Sequence, residues 1–488
     1  MFNIGYIFRE SATMSGKNPL VYENLVLEGG GAKGVALGGA LKYLQKMGLL
    51  SGDGNHHIKR FGGASIGALV ASLLSVGYSP DEVSKVLYSN SMSTFTSGSL
   101  FSIIASFYEV FWQYGFHSTN PIKKSLGEYI KQKTGNADLT FKQLYSSRDK
   151  ELCVIVTNVN RLKTEYFHVK TTPDTPIREA VRMSISIPGY FRAIKSKLKA
   201  DGEEDLYVDG GMLCNYPIHC FDGWFLSMAK ENSFFNRIKC LSDIAKHYEQ
   251  NNRFKEFNPK TLGIVLYSES ENQWMKDCFN KRALCLKPER PRSSTDLYCK
   301  RDKSRHKSEE IGQYDKLRSA VEVFFKVCQE QLSDSTLSKE EVKIIFEDER
   351  FTQEQRDALF EGLTFEEFFS KLDENDDGAV QFRELLSFIE WKGVYSGQKY
   401  MGFDRKNITD LKTFVSSLIG ALVQNSQLIN LQPKDVDRTI AINTGYIGTL
   451  DFDLEGADQE FLEQRGSNAT KAFFDMKNPS ECGCSEEN

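Results

Sequence analysis

Two strand–turn–helix units follow each other near the start of the chain, and they restrict its fold more than any other feature. Residues 24–48, NLVLEGGGAKGVALGGALKYLQKMG, begin with a short apolar strand at Leu25, Val26 and Leu27. After a glycine-rich turn, Leu37, Ala40, Leu41 and Leu44 fall at i, i+3, i+4 and i+7 on one face of a helix, with Gly48 placed to end it. Residues 58–77 repeat the pattern around GGASIG, with Gly77 at the helix end. Two such units in succession predict an α/β fold with a mostly parallel sheet covered by helices. Further strands are expected at 152–159, 164–169, 205–211 and 261–268, and a helix at PIREAVRMSIS.

Both turns have a chemical reading. Gly29, Gly31 and Gly34 have G-x-G-x-x-G spacing between strand and helix, and Asp53 lies where a ribose-binding acid would fall, so a dinucleotide site is one hypothesis. Consecutive glycines at a helix N-terminus also aim backbone N–H groups into a concavity, and this suits the oxyanion of an ester under attack equally well. Gly63-Ala64-Ser65-Ile66-Gly67 matches G-x-S-x-G, the nucleophile elbow, where a side chain two residues either side of the serine would clash with strand and helix. A serine needs a base. None of the seven histidines has an obvious catalytic setting, although His219 follows a candidate acid by ten residues. That acid is Asp209, which ends a strand and precedes Gly210 and Gly211.

Taken together and in this order, GGGAKG (29–34), GASIG (63–67) and DGG (209–211) resemble the patatin-like phospholipase family. TPDTPIREAVRMSISIPGYF is similar to the segment that leads into the family's catalytic Asp strand. The departures are mild: Lys33 stands for the commoner Arg, and Ala64 where Thr is frequent. The resemblance implies a three-layer fold and a Ser–Asp dyad without histidine, with Ser65 as nucleophile and Asp209 as base. It also implies an oxyanion turn at Gly29, Gly30, Gly31, Lys33 and Gly34, and elbow glycines at Gly63 and Gly67. Phospholipids or lysophospholipids at a membrane surface are the implied substrates. The segment from LKTFVSSLIGALVQ to GSNATKAFF is similar to the helix, strand and final helix that close family catalytic domains. The hydrolase is therefore expected over 22–270 and about 405–476, after an N-terminal extension (1–21) and before a disordered tail (477–488).

The intervening residues read differently. Residues 281–307 carry ten Lys/Arg against three Asp/Glu with two prolines, so 271–312 is expected as a basic linker. Helical patterns then fill 313–400. Within them DENDDGAVQFRE (373–384) places Asp373, Asn375, Asp377, the Ala379 carbonyl, Gln381 and Glu384 at positions 1, 3, 5, 7, 9 and 12, with Gly378 at position 6. Those are the oxygen ligands and turn glycine of a calcium loop, and this part resembles the EF-hand family. A degenerate, metal-free partner is expected around EQLSDSTLSKEEV (330–342). The dyad chemistry needs no metal, so calcium is expected to regulate or to stabilise rather than to catalyse.

A net charge of −5 over 488 residues gives no strong pull on nucleic acid. Ten scattered cysteines without CxxC pairs read as reduced thiols, and neither a secretory signal nor a spanning helix is seen, so a cytoplasmic, peripherally membrane-associated protein is expected. The aromatic stretch 99–116 reads either as an interfacial segment or as a buried helix. The rival function is a calcium-binding interaction protein built on an inactive hydrolase fold.

Overall fold

A computed structural model of the chain describes residues 22–89, 115–197, 203–237, 244–268, 286–306, 311–331, 336–391 and 411–477, with positions 275, 279, 282 and 408–409. The N-terminal extension, the stretch 99–116 except its last two residues, and the tail lie outside these.

The strands in chain order are β1 (Asn24–Leu27), β2 (Arg60–Ala64), β3 (Gly115–His117), β4 (Glu151–Asn158), β5 (Lys163–Phe167) and β6 (Gly189–Phe191). They continue as β7 (Ile194–Ser196), β8 (Asp205–Asp209), β9 (Thr261–Tyr267), β10 (Thr336–Ser338), β11 (Ala379–Gln381) and β12 (Thr439–Asn443). Eight of them form one sheet in the order β12-β9-β1-β2-β4-β8-β7, with β5 also paired to β4. The run from β12 to β4 is parallel, and β5, β8 and β7 join antiparallel.

The register around β4 decides where chemistry can sit. β2 pairs with Glu151–Ile155 and β5 with Val154–Asn158, so the two overlap at Val154 and Ile155 and must lie on opposite edges of β4. β8 pairs with Val156–Asn158, which overlaps β5, so β8 takes the same edge as β2. The two strands thus meet end to end. Ala64 is opposite Ile155 and Asp209 is opposite Val156, the next residue along β4.

Side chains alternate across the sheet, and both faces are buried. Leu25, Leu27, Phe61, Val154, Val156, Ile264 and Ile440 join the core beneath α1 (Val35–Lys46), α2 (Ile66–Ser75) and α3 (Pro80–Ser89). Val26, Ala64, Ile155, Val265 and Ala441 join a second core with Tyr216, Phe221, Trp224 and Phe254. The result is the three-layer α/β architecture that the paired strand–turn–helix units predict.

Residues from the end of the chain complete this body. β12 forms the sheet edge beside β9. The helix Gly456–Lys477 packs on α1 closely enough that a Cβ on Gly39 would lie 1.8 Å from the Glu463 carbonyl oxygen, and one on Gly466 would lie 2.0 Å from that of Ala36. A buried ion cluster joins the same two parts of the sequence. Arg438 donates to both carboxylate oxygens of Asp222 (2.8 and 2.6 Å) and to Asp435 Oδ1 (2.9 and 2.6 Å).

The intervening helices Ile311–Gln331, Lys339–Glu347, Gln353–Phe360, Phe365–Leu372 and Phe382–Trp391 bury a core of their own, with Val321, Phe324, Ile345, Phe360, Phe368 and Phe388 at its centre. Three of them start with reciprocal capping boxes, Ser338/Glu341, Thr352/Gln355 and Thr364/Glu367. The basic stretch differs from its expected form as a loop, since Asp296–His306 is helical. Its first turn is held by apolar and polar contacts together, with Leu297 packed on the core and Tyr298 buried edge-on to Tyr446. Thr295 Oγ1 donates to Asp458 (2.7 Å), the Asp296 N–H donates to Glu455 (2.7 Å), and Arg301 pairs with Asp451 (3.4 Å). Among the described residues, no helix is long and apolar enough to cross a membrane.

Arg438→Met should lower the unfolding free energy by about 3–5 kcal/mol, because it strands Asp222 and Asp435 as buried charges. Urea denaturation of the two proteins measures this. A loss below about 1 kcal/mol would show that water reaches the cluster and that it does not tie the chain ends together.

Candidate functional site

Ser65 lies between the last residue of β2 and the first residue of α2, with φ 52° and ψ −127°. A non-glycine residue held there stores about 1–3 kcal/mol of strain. The turn is tight enough to exclude side chains on both flanks. A Cβ on Gly63 would lie 2.5 Å from the Gly67 carbonyl carbon, and one on Gly67 would lie 2.4 Å from the Leu27 oxygen. Gly63 and Gly67 thus each occupy a position that has no room for a side chain. Because α2 starts at Ile66, its positive end lies at Ser65.

Asp209 is 4% exposed and ends the strand that meets β2 head-on. Its Oδ1 accepts the Gly211 N–H at 2.7 Å, while Oδ2 is buried without a hydrogen bond of good geometry. Burial pushes the carboxyl up to about 7; the nearby Ser65 hydroxyl and the Gly211 N–H pull it the other way. Ser65 is thus close enough to stabilise the carboxylate without being locked to it in the resting site.

The glycine-rich turn stands against this pair, since a Cβ on Gly29 would lie 2.9 Å from Ser65 Cβ. Most of its N–H groups already have acceptors. Gly29 donates to Asn215 O (3.1 Å), Ala32 to Thr449 O (3.0 Å) and Lys33 to Gly30 O (3.0 Å). Ahead of the turn of 3-10 helix Gly31–Gly34, the N–H groups of Gly30 and Gly31 have no acceptor among the described residues. Gly34 fits by size, with Ile66 Cγ1 2.6 Å from where a Cβ would stand. The Lys33 side chain is buried, and its ammonium donates to the Leu266 carbonyl at 3.2 Å.

Three residues that sequence reasoning missed hold the turn in place. Asn215 Nδ2 donates to Glu28 Oε1 and to Gly29 O, both at 2.9 Å. Glu28 is itself buried, and its Oε2 accepts the Leu266 N–H at 2.5 Å. Thr449 arrives from the closing segment, 417 residues after Ala32 by position (449 − 32). A buried acid next to GGG and an Asn six residues after Asp209 were visible signals, because neither belongs in an apolar stretch.

The alternatives lie elsewhere. His219 is half-buried against Tyr166 and Phe254, and its Nε2 is 2.8 Å from the Tyr166 hydroxyl. Burial, with help from Arg253, lowers it to about 3. Asp53 is in an exposed loop, bonded to Ser51 and to the Asn55 N–H.

The acidic loop 373–384 joins Phe365–Leu372 to Phe382–Trp391. Asp373 accepts the N–H groups of Asp377 and Gly378 (3.1 and 2.9 Å), Asn375 Oδ1 accepts that of Asp377 (2.9 Å), and Asp377 accepts that of Ala379 (3.0 Å). Glu384 accepts those of Asn375 and Gln381 (3.2 and 2.8 Å). Gly378 has φ 81°, which glycine adopts freely. β11 within this loop pairs antiparallel with β10, in the segment expected to be a degenerate partner. Among the described residues, no three His, Cys, Asp or Glu side chains are gathered closely enough to hold a metal as they stand. The inward-turned oxygens nevertheless fit a hard cation by type, since each now serves a backbone N–H.

A sequence model of the patatin-like phospholipase family matches residues 25–222. The chain is 33% identical over 256 residues to "Probable lipid hydrolase 463L" of Invertebrate iridescent virus 6, covering 52% of this chain and 80% of that protein. It is 36% identical over 200 residues to "Uncharacterized protein R571" of Acanthamoeba polyphaga mimivirus, covering 41% of this chain and 61% of that protein. Among solved structures it is similar to VipD from Legionella pneumophila at TM-score 0.38 and 15% identity, over 93% of this chain and 67% of that one. An α/β body with a serine elbow and a glycine-rich turn defines the class. The chain belongs to the patatin-like phospholipase family.

Asp209→Asn should stabilise the fold in a pH-dependent way. The folded pKa is raised above the unfolded value, so the fold resists ionisation. The penalty is absent below about pH 4, builds up while only the unfolded chain is ionised, and is complete above about 7. The variant should match wild type in urea at pH 4 and exceed it at pH 8 by at most about 4 kcal/mol. A gain equal at both pH values would mean that the carboxyl is not buried in the neutral form.

Proposed function

We propose that the protein is a serine acyl-ester hydrolase of lipids, working through Ser65 and Asp209. The observation that carries this is the head-on meeting of β2 and β8 along β4, which sets a strained serine beside a buried carboxyl near neutral pKa. Ser65 Oγ attacks the ester carbonyl carbon while Asp209 takes its proton. The oxyanion that forms lies towards the N–H groups of Gly30 and Gly31 and the positive end of α2. As the intermediate collapses, Asp209 returns the proton to the departing alcohol. Water then cleaves the acyl-serine by the same route.

A lipid surface as the source of substrate is supported by family membership and by the helix Leu411–Asn430. That helix packs against Gly211–Cys214, the segment that follows Asp209, and it exposes Phe414, Leu418 and Leu422.

Ser65→Ala and Asp209→Asn should each cut hydrolysis of a soluble ester by about 10³-fold or more. Wild type, but not Ser65→Ala, should be labelled by a fluorophosphonate. The wild-type kcat/KM should rise with pH through about 7, because the base must be ionised. Equal loss in His219→Gln and Asp209→Asn would replace the dyad by a triad. Gly30→Val places a side chain 2.8 Å from Leu266 Cδ1 and should lower kcat by about 10²-fold with little change in KM.

The acidic loop supports a further reading, a calcium site that regulates access or stabilises the helical insertion. Bound calcium would draw the side chains of Asp373, Asn375, Asp377 and Glu384 and the Ala379 carbonyl onto itself, with Gln381 near by, and so reset the angle between the two flanking helices. On the regulatory form, hydrolysis of phospholipid vesicles rises at about 10⁻⁷–10⁻⁵ M calcium. Glu384→Gln then loses the rise and keeps basal activity on a soluble ester. On the structural form, chelator lowers the melting temperature instead. Vesicle activity and melting temperature that both ignore calcium would remove the site.

A further inference from the structure

We infer that Ser184 is a positioning residue for hydrolysis, its hydroxyl holding the Ser65 peptide in register with Asp209. The inference rests on the Ser65–Asp209 reading above and explains how so strained a turn keeps its geometry.

Ser65 lies between two regular elements and belongs to neither. The β2 ladder ends at Ala64, and α2 begins at Ile66. The Ser65 N–H therefore needs an acceptor from outside, and it finds Ser184 Oγ at 2.9 Å. The same Oγ donates to the Ile155 carbonyl at 2.6 Å. Ile155 is the residue of β4 that faces Ala64, immediately before the one that faces Asp209. The hydroxyl thus fills the gap between the end of one strand and the end of the other. Crowding at this junction is severe, since a Cβ on Gly210 would lie 2.1 Å from the same Ile155 oxygen.

The chain around Ser184 also holds the partner. Its own carbonyl accepts the Gly210 N–H at 3.3 Å, and the Ser186 carbonyl accepts the Asp209 N–H at 2.9 Å. One short segment therefore touches the backbone of both reacting residues. Ser184 is fully buried at the end of the helix Ile177–Ser184, and its bonding departs from the usual habit of helical serines. Such serines bond back to their own helix, as Ser186 does to Arg182 (2.8 Å) and Ser75 does to Ser72 (2.7 Å). Ser184 spends one bond on the Ser65 peptide and the other on β4.

The test compares wild type, Ser184→Ala, Ser184→Thr and Ser75→Ala, a buried serine at the far end of α2. The readouts are the rate of fluorophosphonate labelling, kcat and KM on a soluble ester, and the melting temperature. Ser184→Ala should label about 10- to 100-fold more slowly, with kcat lowered in step and KM unchanged, as small misplacements of reacting groups do. Ser184→Thr, which keeps the hydroxyl, should recover most of the rate. Ser75→Ala should lose stability only. Should Ser184→Ala fail to fold, Ser184→Cys takes its place, with a weaker donor and acceptor in nearly the same space. Wild-type labelling and kcat in the Ser184 variant would overturn the inference. So would an equal loss of rate in Ser75→Ala, because general loosening would then explain both. Retained hydrolysis in Ser65→Ala is a different result, which removes the nucleophile assignment itself.

Discussion

One edge of one strand organises this protein. β4 accepts β2 in parallel along its first half and β8 antiparallel along its second, so two chain ends point at each other across adjacent residues. Each end must turn away at once, because nothing else fits between them. β2 leaves by the strained elbow at Ser65, and β8 leaves by Asp209 and Gly210. The approach of Ser65 to the Asp209 carboxyl is therefore a by-product of sheet pairing. A one-residue slip of either strand would turn every side chain on it to the other face and separate the pair, so the two packed cores that fix the register also fix the site.

The glycine-rich turn depends on residues that are far away in sequence. Thr449 supplies the acceptor for Ala32, and Asn215 holds Gly29 from both its backbone and its side chain. Leu266, at the end of β9, receives Lys33 and binds Glu28. These bonds consume the N–H groups on either side of Gly30 and Gly31, which leaves those two without an acceptor among the described residues. The closing segment is thus part of the hydrolase body despite the long insertion before it. Loop-closure entropy grows only slowly with length, so a helical insertion with its own core costs the body little, provided that the chain returns to the same edge of the sheet. β12 beside β9 and Arg438 beside Asp222 make that return.

What could be read in the sequence follows from this division. The α/β architecture, the elbow at Ser65, the turn at Gly29–Gly34 and the acid at Asp209 all depend on local rules: the spacing of apolar residues, glycine where a Cβ would clash, and an acid at a strand end. These were legible. Glu28 and Asn215 stand out locally as polar residues beside apolar runs, but their partners, like that of Thr449, lie on segments that only the sheet topology brings together. The basic stretch misled for a related reason. Its charge suggested solvent, but Arg301 pairs with Asp451, Thr295 and the Asp296 N–H bond to Asp458 and Glu455, and Leu297 and Tyr298 pack on the body, so Asp296–His306 folds as a helix against another segment. The acidic loop was legible as a spacing of oxygens, while the pairing of β10 with β11 required the fold.

On the serine–aspartate reading proposed above, a base other than histidine has a physical logic. A general base works best when its pKa is close to the working pH. Imidazole meets this in water and carboxylate does not. Burial reverses the ranking, because desolvation opposes whichever form is charged. It raises an acid and lowers a cationic base. Both outcomes occur in this chain: Asp209 is lifted to about 7, and His219 is depressed to about 3. A histidine set at the closed junction of β2 and β8 would be driven out of the useful range by the burial that brings an aspartate into it. The burial of Asp209 where the two strands meet is therefore compatible with a serine–aspartate pair and poorly suited to a triad. The orphan Oδ2 follows from the same argument, since a second strong hydrogen bond would stabilise the carboxylate and pull its pKa back down, away from the range where it can take a proton from serine.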